Sequence, residues 1–162
     1  MGIGKLNNFK SQSEVYSTPA RLFDVLNEEF RFVLDVCAND DNAKCSHYFD
    51  EATDGLMQDW TGACWMNPPF NKQLKKWVLK ARDEAAKHGS VICCLVPFRG
   101  NTIWFRDVCM DAEIRFIIGE VNFNELERGL WLPMCCMIFG TRERGTFSYI
   151  DYKKIRASAI AA

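Results

Sequence analysis

Asn67-Pro68-Pro69-Phe70 brings an amide, two rings of fixed backbone and an aromatic face into four consecutive residues. Both prolines hold φ near about −65°, and Pro68 drives Asn67 into an extended conformation, so the loop is stiff before anything binds. Neither proline carries an N–H, which leaves the Asn67 side-chain oxygen and the Pro68 carbonyl as two acceptors without a competing donor. Such a pair suits a planar exocyclic amine. The nitrogen of that amine is a poor nucleophile because its lone pair is delocalised into the ring. Accepting both of its hydrogens favours a pyramidal nitrogen and stabilises the charge that develops as it attacks an electrophilic methyl group. No strong base is required, since the proton leaves after transfer, when the nitrogen is acidic. Phe70 offers a stacking face, with Asn67, Pro68 and Pro69 forming the rest of the clamp. The same four residues would also serve as a plain turn out of a strand, with Phe70 in the core.

The surrounding pattern places the clamp. The apolar run at 62–66 reads as a buried strand, and the segment 72–87 has helical periodicity and ends at His88-Gly89 as a glycine C-cap would. A loop between such a strand and helix lies at the carboxyl end of the strand, where open α/β sheets bind their ligands. Upstream, Thr18 and Pro19 read as N-cap and first residue of a helix over 19–29, with Leu22, Phe23, Leu26 and Phe30 on its apolar face. Phe32-Val33-Leu34 reads as a short strand ending at Asp35, and the polar residues of 38–44 as a loop or a first helical turn. Further strands are expected at 90–96, 114–118 and 134–139, a helix at 103–110 and an extended piece at 120–123. Helix and strand alternate through the first two thirds. That predicts an α/β fold, a mostly parallel sheet with helices on both faces, and the strand-rich last third predicts an antiparallel finish.

With 162 residues the chain is expected to form one domain over 14–156, with loose ends at 1–13 and 157–162. No apolar run is long enough to span a bilayer, and the polar N-terminus does not resemble a signal peptide, so a cytoplasmic protein is expected. The eight cysteines include the adjacent pairs Cys93-Cys94 and Cys135-Cys136 inside apolar runs. Neighbours on a strand point to opposite faces, so these pairs read as small core residues of a sheet covered on both sides. No Cys-x-x-Cys occurs, and His47 and His88 stand in unrelated contexts, so no metal site is expected. The net charge of −1 gives no global attraction to a polyanion. A local patch would have to supply it. Lys72, Lys75 and Lys76 share a helical spacing beside the clamp, and Arg99, Asn101 and Thr102 cluster past a strand end; both groups are candidates for nucleic-acid contacts, although a solvated helix face is the plainer reading of any single lysine.

Tyr16-Ser17-Thr18-Pro19, Leu34-Asp35-Val36-Cys37-Ala38, Asp54-Gly55-Leu56 and the clamp, in that order, resemble the phage-type DNA adenine-N6 methyltransferases, the Dam-like family of bacteriophages and prophages. The resemblance spans 14–105. It implies a Rossmann-like methyltransferase fold, S-adenosylmethionine as cofactor, adenine in DNA as substrate, and the cytoplasm of a bacterial host, in a restriction-modification or regulatory setting. By position, Tyr16, Thr18 and Pro19 look like the region of the cofactor carboxylate, and Asp35, with Cys37 and Ala38 beside it, like the acid that meets the methionine ammonium. Asp54 looks like the residue that reads the cofactor's adenine. Asp35 would alternatively cap a helix, and Asp54 would alternatively be an Asp-Gly turn residue. Where a glycine-rich motif would follow Asp35, this chain has Cys37, Ala38 and Asn39. No separate target-recognition domain is legible, so loops 100–104 and 124–133 are the candidates for that role. RNA adenine and a protein glutamine amide present the same planar amine, and a non-catalytic nucleic-acid-binding module is the alternative of another class.

Overall fold

Apolar runs become strands and amphipathic runs become helices. The computed structural model describes residues 16–125 and 131–158. Its elements are α1 (Ala20–Phe30), β1 (Leu34–Asp35), β2 (His47–Tyr48), a 3-10 turn at Gly55–Met57, β3 (Cys64–Met66), α2 (Leu74–His88) and β4 (Ile92–Pro97). They continue with α3 (Ile103–Cys109), β5 (Glu113–Ile118), a 3-10 turn at Phe123–Glu125, β6 (Met134–Phe139), β7 (Phe147–Asp151) and α4 (Tyr152–Ala157). The strands form one sheet in the order β2-β1-β3-β4-β6-β5-β7. Strands β1 to β4 run parallel, β7 runs parallel to β5, and β6 is antiparallel to both of its neighbours. The mostly parallel sheet and the late antiparallel strand are those the alternation predicts.

Each face of the sheet buries its own cluster. Leu74, Trp77, Val78 and Ala81 of α2 and Phe105 and Val108 of α3 pack with Cys64, Cys94 and Cys135 on one side. Leu22, Phe23 and Leu26 of α1 and Tyr152 of α4 pack with Trp65, Cys93 and Cys136 on the other. The adjacent cysteines therefore split between the faces, as strand geometry requires.

Three local expectations change. Thr18 is not a helix cap: Pro19 holds that position, its carbonyl accepting from the N–H of Leu22 at 3.1 Å and Phe23 at 3.2 Å. β1 begins only at Leu34, because the N–H of Phe32 is drawn to Asn27 Oδ1 at 2.8 Å, closing the C-terminus of α1. The extended piece at 120–123 is reduced to a single bridge at Val121, and its last residue opens the turn at Phe123–Glu125, where Asn124 adopts φ 56°. The segment 1–13 and the residues 159–162 lie outside the described residues, whereas Ala157 closes α4. No helix among the described residues is long and apolar enough to cross a membrane.

Candidate active site

Asp35 and Asn67 meet because β1 and β3 are parallel neighbours. Asp35 pairs with Trp65 in the ladder, so Asn67 emerges two residues further along at the same edge of the sheet. Between these strand ends, α2 and the chain around Asp54, a cleft of about 1030 Å³ opens, with Tyr16, Thr18, Asp35, Cys37, Ala38, Asp54, Asn67 and Pro69 among its lining residues. Most of the residues marked by the sequence thus share one wall system. Pro19, Pro68 and Phe70 are not among its lining residues.

Asp35 is only 2% exposed and accepts backbone N–H groups from Cys37 at 3.3 Å and Lys44 at 3.0 Å. Burial nevertheless pushes its carboxyl up to about 6, against the lowering effect of those two bonds and of the Lys44 charge. Lys44 compensates the buried carboxylate only in part, and a cation placed against it would gain from that deficit. Cys37 is no nucleophile. Burial, then the neighbouring Asp35, pushes its thiol up to about 12, so it serves as a neutral wall.

At the other end of the cleft, Asn67 Nδ2 donates to the Tyr16 carbonyl. That bond fixes the orientation of the amide and leaves Oδ1 buried without a partner. Thr18 Oγ1 and Trp77 Nε1 are buried without partners on the same cleft. Polar atoms in this state cost about 1–3 kcal/mol each unless water or a ligand supplies the missing bond, and all three belong to residues that line one cleft. The segment that carries Tyr16 is held from two sides. Ser17 N–H donates to Asn124 Oδ1 at 2.7 Å, and Asn124 N–H returns to the Ser17 carbonyl at 2.9 Å. Tyr16 stacks on Phe70 with centroids 5.3 Å apart and planes at 19°, and Phe123 meets Phe70 edge-on at 5.7 Å. One face of the expected stacking ring is therefore already covered by Tyr16.

Residues 5–154 match the model of the family described as DNA N-6-adenine-methyltransferase (Dam). The chain belongs to that family. It is 34% identical over 109 residues to the DNA N-6-adenine-methyltransferase of Haemophilus phage HP1 (strain HP1c1), an alignment covering 65% of this chain and 62% of the phage protein. It is 33% identical over 72 residues to the protein named "Putative methyltransferase YfdM" of Escherichia coli (strain K12), covering 40% of this chain and 79% of that one. The chain thus spans about three fifths of the phage relative's length. Family membership and the sheet together identify the α/β fold of S-adenosylmethionine-dependent methyltransferases.

Within this member of the Dam family, Asp54 is the turn residue of the alternative reading. Its carboxylate accepts the Leu56 N–H at 3.1 Å in a left-handed turn with φ 50°, and the residue also lines the cleft. The glycine missing after Asp35 has a counterpart at Gly55. A Cβ there would lie 2.1 Å from the Val36 carbonyl oxygen and 3.2 Å from the Trp77 ring, so backbone meets backbone at the cleft floor. Replacing Gly55 with Ala should destabilise the fold by about 2–3 kcal/mol, read as a lowered denaturation midpoint, because the clash is with main chain that cannot turn aside.

The lysines divide. Lys76 lines the cleft, whereas Lys72 and Lys75 stand exposed outside its lining, and Lys72 precedes α2. Arg99, Asn101 and Thr102 form an outer turn after β4, closed by Thr102 Oγ1 donating to the Arg99 carbonyl at 2.7 Å, and do not line the cleft. The clamp and this turn follow adjacent strands, so they are neighbours along one sheet edge. In the loop 124–133, Pro133 accepts the Phe98 N–H at 2.7 Å, and 126–130 lie outside the described residues.

Sequence reasoning missed Trp77, which joins Gln73, Lys76 and Lys80 on the cleft side of α2 and its N-cap. Their 3, 4 and 7 spacing is the available signal. It also missed Glu84, which accepts the Trp60 N–H at 2.8 Å and pairs with Lys80 at 2.9 Å, stapling the segment after the Gly55 turn to α2. Asp59, Glu84 and His88 bring one possible ligand atom each within 4.8 Å of one another, but Lys87 pairs with Asp59 at 2.6 Å and Lys80 with Glu84, so lysines already balance both carboxylates.

Proposed function

We propose that this chain transfers a methyl group from S-adenosylmethionine to the N6 amine of an adenine in DNA, in the cytoplasm of a bacterial host. The observation that carries the reading is Asn67, whose amide nitrogen is held by Tyr16 while its oxygen is a buried acceptor without a partner on the cleft that also contains Asp35. Asp35 would hold the ammonium of the cofactor, Tyr16 to Thr18 would flank its carboxylate, Cys37 and Ala38 would line its path, and Asp54 would face its adenosine. The donor set fits: an under-compensated carboxylate awaits a cation, and the Thr18 hydroxyl awaits a polar partner. When bound, the cofactor supplies a methyl group made electrophilic by its sulfonium.

The chain's own residues then do the rest. An adenine turned out of the duplex enters the mouth beside Phe70. Asn67 Oδ1 and the Pro68 carbonyl accept its two amine hydrogens, the stiff prolines hold these acceptors in place, and the localised lone pair is aimed at the methyl group. Because Tyr16 covers one face of Phe70, the base stacks on the open side or displaces the tyrosine ring. Lys72, Lys75, Arg99, Asn101 and Thr102 lie outside the cleft, where phosphates would pass, while Lys76 sits on its rim.

The test is to incubate the protein with radiolabelled S-adenosylmethionine and, in parallel, unmethylated duplex DNA, single-stranded DNA, RNA and a mixed protein extract, then digest to nucleosides or amino acids. Label in N6-methyladenine from DNA is expected. Label confined to RNA or to glutamine would move the chemistry to another substrate, and cofactor binding without transfer to any acceptor would leave a binding module.

A further inference from the structure

Three amides stand in series behind the clamp. Asn67 Nδ2 donates to the Tyr16 carbonyl, and the Ser17 N–H donates to Asn124 Oδ1 at 2.7 Å. The Tyr16 carbonyl and the Ser17 N–H belong to one peptide unit, which is planar and trans, so they point in opposite directions and neither turns without the other. Asn124 Oδ1 therefore fixes the direction from which the Tyr16 carbonyl meets Asn67. A carbonyl accepts and does not donate, so it selects the amide nitrogen of Asn67 and turns Oδ1 to the other side, where it is buried without a partner. An amide that donates also becomes a stronger acceptor at its own oxygen, by about 10–30% per bond, so the series strengthens the Asn67 oxygen as well as aiming it.

Asn124 suits this contact. It stands in the left-handed region at φ 56°, which asparagine tolerates, and its own N–H donates to the Ser17 carbonyl at 2.9 Å. A glycine would supply that backbone and that second bond; the Oδ1 acceptor is what asparagine adds. Its neighbour Phe123, only 2% exposed, packs against the rings of Tyr16 and Phe70 with centroids 5.5 and 5.7 Å away. These contacts hold the segment at 16–17 in place by themselves, so the side chain of Asn124 contributes the orientation of one peptide. Under the proposed function, on which this inference rests, the Asn67 oxygen must face the amine that enters the clamp. We propose that Asn124 is a positioning residue for methyl transfer, acting through the Tyr16–Ser17 peptide to hold the Asn67 amide with its oxygen free for the target amine.

Steady-state methylation of duplex DNA by the full chain, with titration of S-adenosylhomocysteine alongside, tests this. Asn124→Gly keeps the left-handed backbone and loses the oxygen. Its kcat should fall about tenfold to a hundredfold, as for a misaimed group, while the KM for DNA and the affinity for S-adenosylhomocysteine stay nearly unchanged. Asn124→Asp keeps an acceptor for the Ser17 N–H and should retain most of the turnover. In Asn67→Asp the amide nitrogen is gone and the series is already cut, so adding Asn124→Gly to it should lower kcat no further. Wild-type kcat in a folded Asn124→Gly would overturn the assignment. So would a loss that appears in cofactor affinity instead of kcat, or losses that multiply in the double variant, because a support for the fold or the cofactor would weaken both backgrounds alike. If Asn124→Gly does not fold, Asn124→Ala, which also lacks the oxygen, is read against the same outcomes. Failure of the wild type to methylate DNA at all would instead overturn the reading of the clamp beneath it, and the role of Asn124 with it.

Discussion

Replacing Asn67 with Ala should lower methyl transfer to DNA by about a thousandfold or more while S-adenosylhomocysteine still binds with nearly wild-type affinity. Removing one preorganised hydrogen-bonding group aimed at a developing charge costs roughly 10²–10³ in turnover. Asn67 should stand at the upper end or beyond, because the Pro68 carbonyl alone cannot take both amine hydrogens. The loss should fall on kcat rather than KM, since the bond strengthens as the amine becomes pyramidal. Stability should change little. Alanine forfeits the Nδ2 bond to Tyr16 but also removes a buried oxygen that has no partner. Asn67→Asp separates the two functions of the amide. It retains the acceptor and loses the donor, so it should keep far more activity than Asn67→Ala if the oxygen is what matters. Wild-type turnover in Asn67→Ala would remove the clamp from the mechanism.

What could be read in the sequence is what local chemistry determines. The Asn-Pro-Pro run stiffens itself, the apolar run at 134–139 has no other use than a central strand, and Gly89 ends α2 in the left-handed region at φ 64° because no side chain opposes it there. The faces of Cys93 and Cys94 follow from strand alternation alone. What could not be read depends on contacts between distant segments. β7 escaped notice because it lies at the sheet edge with Phe147 and Tyr149 exposed, so its residues do not alternate between inside and outside in the expected way. Thr18 looked like a cap because its neighbour is proline, yet the cleft rather than the helix receives its hydroxyl. The lysines looked like one face because spacing is all a sequence offers. The start of α2 at Leu74 leaves Lys72 outside the helix and places Lys76 alone of the three on the cleft. Trp77 is core, and only the tertiary structure reveals that its N–H has been left without an acceptor.

Asp35 should make cofactor affinity depend on pH in a direction fixed by its burial. Its carboxyl stands at about 6 in the folded chain against 3.8 when free, so ionising it in the empty cleft costs on the order of 3 kcal/mol. That penalty is absent below about pH 4, grows as pH rises towards 6 and is constant above. The raised value thus contributes stability to the empty protein at low pH that is lost as pH rises. A bound ammonium reverses the preference, because it favours the ionised form. Binding therefore expels a proton in this window, and the dissociation constant for S-adenosylhomocysteine should be flat above pH 6 and rise about tenfold per pH unit below it. Neither the amino nor the carboxyl group of the ligand titrates there. Thermal melting would not isolate the effect, since Glu29, held low by its hydrogen bond to Arg115, and Asp59, held low by Lys87, lose stability as pH falls. Affinity isolates it. Asp35→Asn should bind about a hundredfold more weakly at pH 7.5, because the ammonium then faces no charge, and its affinity should show no slope between pH 5 and 6. The same slope in Asp35→Asn as in the wild type would assign the proton to another group, and a flat wild-type profile would mean that no cation settles against Asp35.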